Sequence, residues 1–308
     1  MSDAAAPLGQ VIPFRIEGGA FRGRLIRADA LLADILGRHA YPAAVNRLLG
    51  ETILLGAGLA SLLKFDGIFT LQTASQGAIR TLVTDVTSGG QVRACARFHA
   101  EALETRLASL DPERVAEAPV PHLMGPGHLA FTVDPSAAAQ QRYQGLVELD
   151  GATLGDAVHA YFHQSEQLDS AVKLALAETA EGWRGGLILL QRMPEDGGRA
   201  LVDAEDSWRT AVVLLSSLKD GELLDPELPA PILLNRLFHA SGLMVETPRD
   251  LTFGCRCARE RVDAVLASLA PEELASLTED DGSAHVDCEY CGTRYTYTPA
   301  QLAALSKS

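Results

Sequence analysis

The chain has no apolar run long enough to cross a bilayer. Its longest, Ile53 to Leu63, is broken by Gly56, Gly58 and Ser61, and a spanning helix needs about 20 apolar residues. Positive charge is also scarce: 26 Lys and Arg stand against 40 Asp and Glu, a net charge of −14. A protein that tracks phosphates or anionic lipid needs a basic footprint. Neither nucleic acid nor a membrane is therefore an expected partner. The N-terminal Met1-Ser2-Asp3-Ala4-Ala5-Ala6-Pro7 has no basic or apolar leader region, so the expected location is the cytosol. Nucleotide motifs are missing too. No G-x-x-x-x-G-K-[ST] occurs, and Gly56-x-Gly58 lacks the third glycine of a dinucleotide loop. No G-x-S-x-G is present and no spacing points to a nucleophile triad, so an enzyme is not expected.

What is present is an ordinary globular composition over 308 residues, 47% apolar and 21% charged. Residues 11–27 read as two strands around Gly18-Gly19. Leu31, Leu32, Ile35 and Leu36 recur at helical spacing. A second helix from Ala43 to about Leu63 follows Pro42, with an apolar face broad enough for full burial. Alternation then predicts strands at 67–73, 79–84, 92–98, 128–133 and 143–149. A polar stretch at 101–121 reads as a loop with a short helix. Thr153 caps a helix to about Ser165, and strands return at 172–177 and 186–191. Gly-rich residues 195–204 mark a boundary. Asp206 to Leu218 and Ile232 to Ala240 then read as amphipathic helices. The expected class is α+β: a mixed α/β core over 1–194, a helical linker over 195–248, and a small zinc-binding domain over 249–308.

Cysteine is rare, but four of the five sit in two tight pairs: Cys255-Arg256-Cys257, then Cys288-Glu289-Tyr290-Cys291. In a reducing compartment such pairs read as metal-binding or redox-active before they read as structural disulfides. Four thiolates satisfy tetrahedral zinc, so the expected cofactor is one zinc ion on Cys255, Cys257, Cys288 and Cys291. His285 lies close by and reads as a bystander. Cys95 reads as a buried, inert thiol. His159 and His163 stand four apart, but the glutamate of H-E-x-x-H is absent, so they read as helix-surface histidines.

Spacing alone leaves a permanent zinc ribbon and a reactive site both open. Three features favour reactivity. The C-x-C spacing leaves little backbone to donate hydrogen bonds to sulfur. Arg256, Arg259 and Arg261 put positive charge nearby. Each sulfur also has a neighbour with which an oxidised form can condense. Zinc gives about 10–16 kcal/mol to a small fold, and a whole domain has only about 5–15 kcal/mol of net stability. Losing all four ligands should therefore unfold the domain. Residues 249–308 carry six Lys and Arg and ten Asp and Glu, the wrong sign for a nucleic-acid ribbon.

The pattern Phe253, Cys255, Cys257, Cys288, Tyr290, Cys291 resembles that of the bacterial redox-regulated chaperones of the heat-shock protein 33 family. Arg259-Glu260-Arg261 and Asp287 fit the same pattern. Leu62 to Gly67, Arg142 to Leu149, Tyr161 to Leu168, Gly185 to Pro194 and Leu233 to His239 are similar to that family's core and connecting segment. The resemblance implies an ATP-independent holdase, zinc-bound and largely inactive when reduced. It implies oxidation to Cys255–Cys257 and Cys288–Cys291 disulfides, zinc loss, and unfolding of the C-terminal domain and linker. Unfolding client proteins would then be held, the oxidised form would dimerise, and clients would pass to an ATP-driven foldase system. Trp208, Leu214, Leu215, Leu233, Leu237 and Phe238 are the candidate conditional client surface, with core packing expected in the reduced state. Residues 101–121 and 134–139 match the family poorly. Two other readings are a thiol–disulfide oxidoreductase using Cys288 and Cys291, against which the missing thioredoxin-like context counts, and a constitutive zinc-ribbon interaction module.

Overall fold

The computed structural model describes residues 8–16, 20–137, 141–163, 169–193, 204–279 and 281–305. The expected Gly18-Gly19 turn and most of the expected boundary at 195–204 lie outside these residues. Tertiary contacts divide the chain into two compact units, Met1–Phe253 and Gly254–Ser308.

In the first unit, β1 (Gly9–Ile16), β2 (Phe21–Arg27), β8 (Ser170–Thr179) and β9 (Gly182–Arg192) form one half of a sheet. The other half contains β3 (Gly67–Ser75), β4 (Ile79–Thr87), β5 (Gln91–Phe98), β6 (Gly127–Pro135) and β7 (Tyr143–Glu148). The strand β11 (Arg249–Phe253) joins the halves. It pairs antiparallel with β1 through Gly9↔Leu251 and parallel with β5 through Thr252↔Gln91. The order is β7-β6-β3-β4-β5-β11-β1-β2-β9-β8, with the two-residue β10 (Met244–Val245) also on β1. Local pattern does not announce β10 and β11, because their partners lie more than 150 residues away in sequence.

Period-two alternation makes the β1–β2–β9 half two-faced. Val11, Ile26, Leu187 and Leu189 face the core around α1 (Asp29–Leu36) and α2 (Ala43–Ala60). Ile12, Phe14, Phe21, Leu25, Ile188 and Leu190 face a second core. That core is closed by α6 (Ala204–Ser217), α7 (Asp220–Leu224) and α8 (Ala230–Phe238), which therefore belong to the first unit. Phe14 stacks on Phe238 at 5.7 Å, and Phe21 lies 5.4 Å from Trp208. Gly23 is required on this face: a Cβ there would stand 2.1 Å from the Phe14 ring.

The expectation of a buried second helix holds. Nearly every residue of α2 from Leu48 to Ala60 is buried, and it ends at the Ser61 cap, short of Leu63. Its glycines permit close approach to both half-sheets. A Cβ on Gly56 would lie 3.0 Å from Thr84, and one on Gly58 3.2 Å from Leu187. The predicted Thr153 cap is present as a reciprocal capping box with Asp156 at the start of α5 (Leu154–Tyr161). The loop expected at 101–121 is instead mostly helical: α3 (Ala100–Ser109), α4 (Pro112–Glu117) and a π turn at Val120–Met124. Single buried anchors, Leu103 and Val115, hold these helices. One apolar residue per short helix is too little pattern to read from sequence.

The second unit contains α9 (Arg259–Ala267), α10 (Pro271–Ser276), the hairpin β12 (Ala284–Asp287) and β13 (Arg294–Tyr297), and α11 (Pro299–Leu305). Its core is Leu266, Leu274, Ala284, Tyr297 and Leu302. No described helix in either unit is long and apolar enough to cross a membrane.

Candidate metal centre

Two local structures bring the four cysteines of the second unit together. Cys255 and Cys257 lie in the irregular segment between β11 and α9. Cys288 and Cys291 sit in the turn of the β12–β13 hairpin. There Cys288 donates its N–H to the Thr293 carbonyl at 3.0 Å, and Gly292 donates to the Cys288 carbonyl at 2.8 Å. Gly292 has φ of +69°, a left-handed position that favours glycine. Below the turn, Arg294 makes a bidentate pair with Asp287 at 2.8 and 2.7 Å, tying the hairpin shut.

The four Sγ atoms lie within 4.8 Å of one another. Cys255 and Cys288 are 3.7 Å apart at sulfur, and Cys257 and Cys291 3.4 Å. Four sulfurs held tetrahedrally at about 2.3 Å from a centre stand about 3.8 Å apart. The donor set thus fits a four-thiolate metal ion, and all four residues are half-buried. This is the sole group of three or more metal-ligating side chains gathered in this way among the described residues.

Electrostatics differ sharply from sulfur to sulfur. Burial pushes the Cys288 thiol up to about 12, against hydrogen bonds from the Tyr290 and Cys291 backbone. Burial also raises Cys257, although the Tyr295 hydroxyl donates to it. Cys291 is brought down to about 6: burial opposes ionisation there, but the Thr293 hydroxyl and N–H and the Cys257 and Cys255 thiols outweigh it. Thr293 Oγ1 is 3.2 Å from that sulfur. A cation that binds four thiols must release the protons they still hold.

In the C-x-C pair, Cys257 N–H lies 3.5 Å from Cys255 Sγ. Of the arginines named from sequence, Arg259 stacks on Tyr297 at 4.4 Å and donates to the Thr296 carbonyl, while Arg261 is exposed. The groups that tune the sulfurs, Thr293 and Tyr295, were not singled out from sequence. Their signal lay in closeness to the second cysteine pair, two and four residues past Cys291.

His285 is engaged away from the sulfurs, with Thr296 at 3.0 Å and Glu279 at 3.7 Å. In the first unit, Cys95 is buried in β5 opposite Val83. His159 meets the Ser170 carbonyl at 3.0 Å and joins no metal cluster with His163. Trp208, Leu215, Leu233, Leu237 and Phe238 are all buried against the sheet, and Leu214 is half-buried beside them.

A family model described as Hsp33 protein matches residues 9–298. The chain belongs to the Hsp33 family. A 33 kDa chaperonin of Caulobacter vibrioides (strain NA1000 / CB15N) is 35% identical over 97% of this chain and 99% of its own length. One from Ectopseudomonas mendocina (strain ymp) is 37% identical over 92% of this chain and 90% of its own. The crystal structure of the 33 kDa chaperonin (heat shock protein 33 homolog) of Thermotoga maritima superposes with a TM-score of 0.82. It covers 97% of this chain and 98% of that one at 20% identity, which speaks for the Hsp33 fold alone.

Proposed function

We propose that this chain is a redox-regulated, ATP-independent chaperone, a holdase and not an enzyme, that binds unfolding proteins in the cytosol. Membership of a family whose relatives are named chaperonins supports the chaperone part. The observation that carries the regulation is the four-sulfur cluster in a unit whose described core has only five buried apolar residues. Cys255, Cys257, Cys288 and Cys291 would together hold one zinc ion per reduced chain. Bound there, zinc would supply about 10–16 kcal/mol of folding energy, as in small zinc-dependent peptides.

Peroxide oxidises one thiolate to a sulfenic acid, and a neighbouring thiol displaces water from it to close a disulfide. Each disulfide consumes one peroxide and two thiol groups and yields two waters. Pairing Cys255 with Cys257 and Cys288 with Cys291 uses all four ligands. In this reading residues 1–194 are the chaperone core, 195–248 a metastable linker and 249–308 the switch domain. Unfolding of the switch removes support from the linker, and Trp208, Leu214, Leu215, Leu233, Leu237 and Phe238 become client-binding surface. The oxidised chain would dimerise and later pass its clients to an ATP-driven foldase.

The test treats the zinc-loaded, reduced chain with peroxide at raised temperature. Zinc release, mobility of residues 254–308 and suppression of a client's thermal aggregation should rise together. Zinc release without a rise in anti-aggregation activity would sink the chaperone switch. Multiple turnover of disulfide substrates would favour the oxidoreductase instead.

A further inference from the structure

Beyond the end of α2, the α2-side face of the first sheet turns from apolar to basic. Strand register puts Arg15 opposite Arg22, Pro13 opposite Arg24, and Val11 opposite Arg249. Directly opposed antiparallel residues share a face. Four arginines of a chain with net charge −14 therefore lie on one face. Arg24 feels the crowding. Its guanidinium is lowered to about 10 by burial first and then by Arg22, against the attraction of Glu246, with Arg249 and Arg15 adding to the lowering. Two of the four have structural employment: Arg24 reaches the Ser61 carbonyl at the end of α2, and Arg15 pairs with Glu246 at 2.7 Å.

Arg22 does not. It is half-buried, and its only described partner is the amide oxygen of Gln191, which accepts from Nε at 2.7 Å and also from Nη2. No carboxylate faces it among the described residues, and burial lowers its pKa. A half-buried cation without an anion is an uncommon arrangement. It borders a cavity of about 240 Å³ between the two half-sheets. The walls are largely apolar: Leu59, Leu62, Phe69, Phe131, Tyr161 and Phe162, with Phe131 and Tyr161 stacked at 4.1 Å. Lys64, exposed at the rim, has no acidic partner among the described residues.

The cavity is smaller than the ~300–1,000 Å³ typical of drug-sized sites, so a single ring with a short acidic tail suits it. We propose that this cavity is a binding site for a small aromatic carboxylate, its ring between Phe69, Phe131 and Phe162 and its carboxylate on Arg22 and Lys64. Every residue of the site lies in the first unit, so the proposal stands apart from the sulfur switch. The guanidinium N–H groups that Gln191 leaves over match a carboxylate in geometry and charge. The aromatic walls favour a flat body over a branched one.

The test titrates the full-length reduced chain with 3-phenylpropionate, by calorimetry and by shifts of the Phe131 and Phe162 ring resonances. Saturable binding with shifts at those rings is expected. The neutral amide 3-phenylpropionamide should bind roughly tenfold to a hundredfold more weakly, the worth of a charge-assisted hydrogen bond. Arg22→Gln should cost a similar factor. Lys64→Gln, an exposed change with no expected effect on folding, should cost a few-fold and raise the salt sensitivity of what remains. No saturable binding at millimolar ligand, equal affinity for acid and amide, or shifts that leave the Phe131 and Phe162 rings untouched would each overturn the proposal. If Arg22→Gln unfolds the chain, the acid–amide comparison and Lys64→Gln decide it.

Discussion

Among the described residues, the first unit buries 42 apolar side chains on one side of its sheet and 18 on the other. The second buries five, in a piece of 55 residues. Both have regular helices and strands, so secondary structure does not separate them. What separates them is the source of cohesion. The first unit has aromatic pairs between its strands and its helices and a helix, α2, buried along most of its length. The second has a hairpin, one Tyr297–Asp263 hydrogen bond at 2.7 Å, and four sulfurs gathered around a point. A core that small gives only a few kcal/mol. The second unit should therefore depend on what binds its sulfurs, and the strands of the first should not.

Chelation strikes that contrast hardest. Stripping metal from the reduced chain should unfold residues 254–308, a loss on the order of 10 kcal/mol. Amide exchange over the first unit's strands should stay slow. A second unit that keeps its exchange protection without metal would erase the distinction.

Next comes the first unit's own core. Phe238→Ala empties a fully buried site against Phe14 and should cost about 3–5 kcal/mol in denaturant unfolding. Because the proposed switch couples α8 to the second unit, metal affinity should fall with it, and an unchanged affinity would count against that coupling.

A third effect is set by pH. Burial raises the Glu51 carboxyl to about 7, with Arg47, 3.7 Å away, only partly opposing it. An acid raised on folding costs nothing below its unfolded pKa. The cost grows as pH rises from the unfolded value, about 4.5, to the folded value, and is complete above that. Glu51→Gln should stabilise the first unit by about 3 kcal/mol at pH 8 and by almost nothing at pH 4. Equal stabilisation at both pH values would mean that Glu51 is not held neutral.

The smallest effect concerns β11, which ends two residues before Cys255. Arg38 lies 3.6 Å from the Phe253 ring centroid and also pairs with Asp34 at 2.7 Å. Arg38→Ala should cost about 0.5–1 kcal/mol and speed amide exchange in β11 more than in β3. Uniform exchange would mean that this strand has no weakness of its own.

Much of this architecture is legible in the chain. Leu48 to Ala60 announces a buried helix, and Thr153 with Asp156 announces its own cap. The alternation in 67–98 shows three strands, and the sulfur pairs announce a metal centre before any coordinates. The short helices at 100–117 and 220–224 escape because each is held by a single buried residue, Leu103, Val115 or Leu223. The role of residues 249–253 escapes because a strand's neighbours are not written beside it. The sequence reading began a third domain at 249, while β11 pairs within the large sheet.

Local chemistry by itself determined which four residues could meet a metal, because thiolates in close pairs say so wherever they occur. It also determined the longer helices and strands, because periodicity is a local property. Only the tertiary structure decided that the Cys257 sulfur meets Cys291 and Tyr295, that Trp208 and Phe238 are covered, and that Arg22 borders a cavity with no carboxylate opposite it among the described residues. Those facts depend on distances between residues remote in sequence, and burial and Coulomb energies are set by those distances.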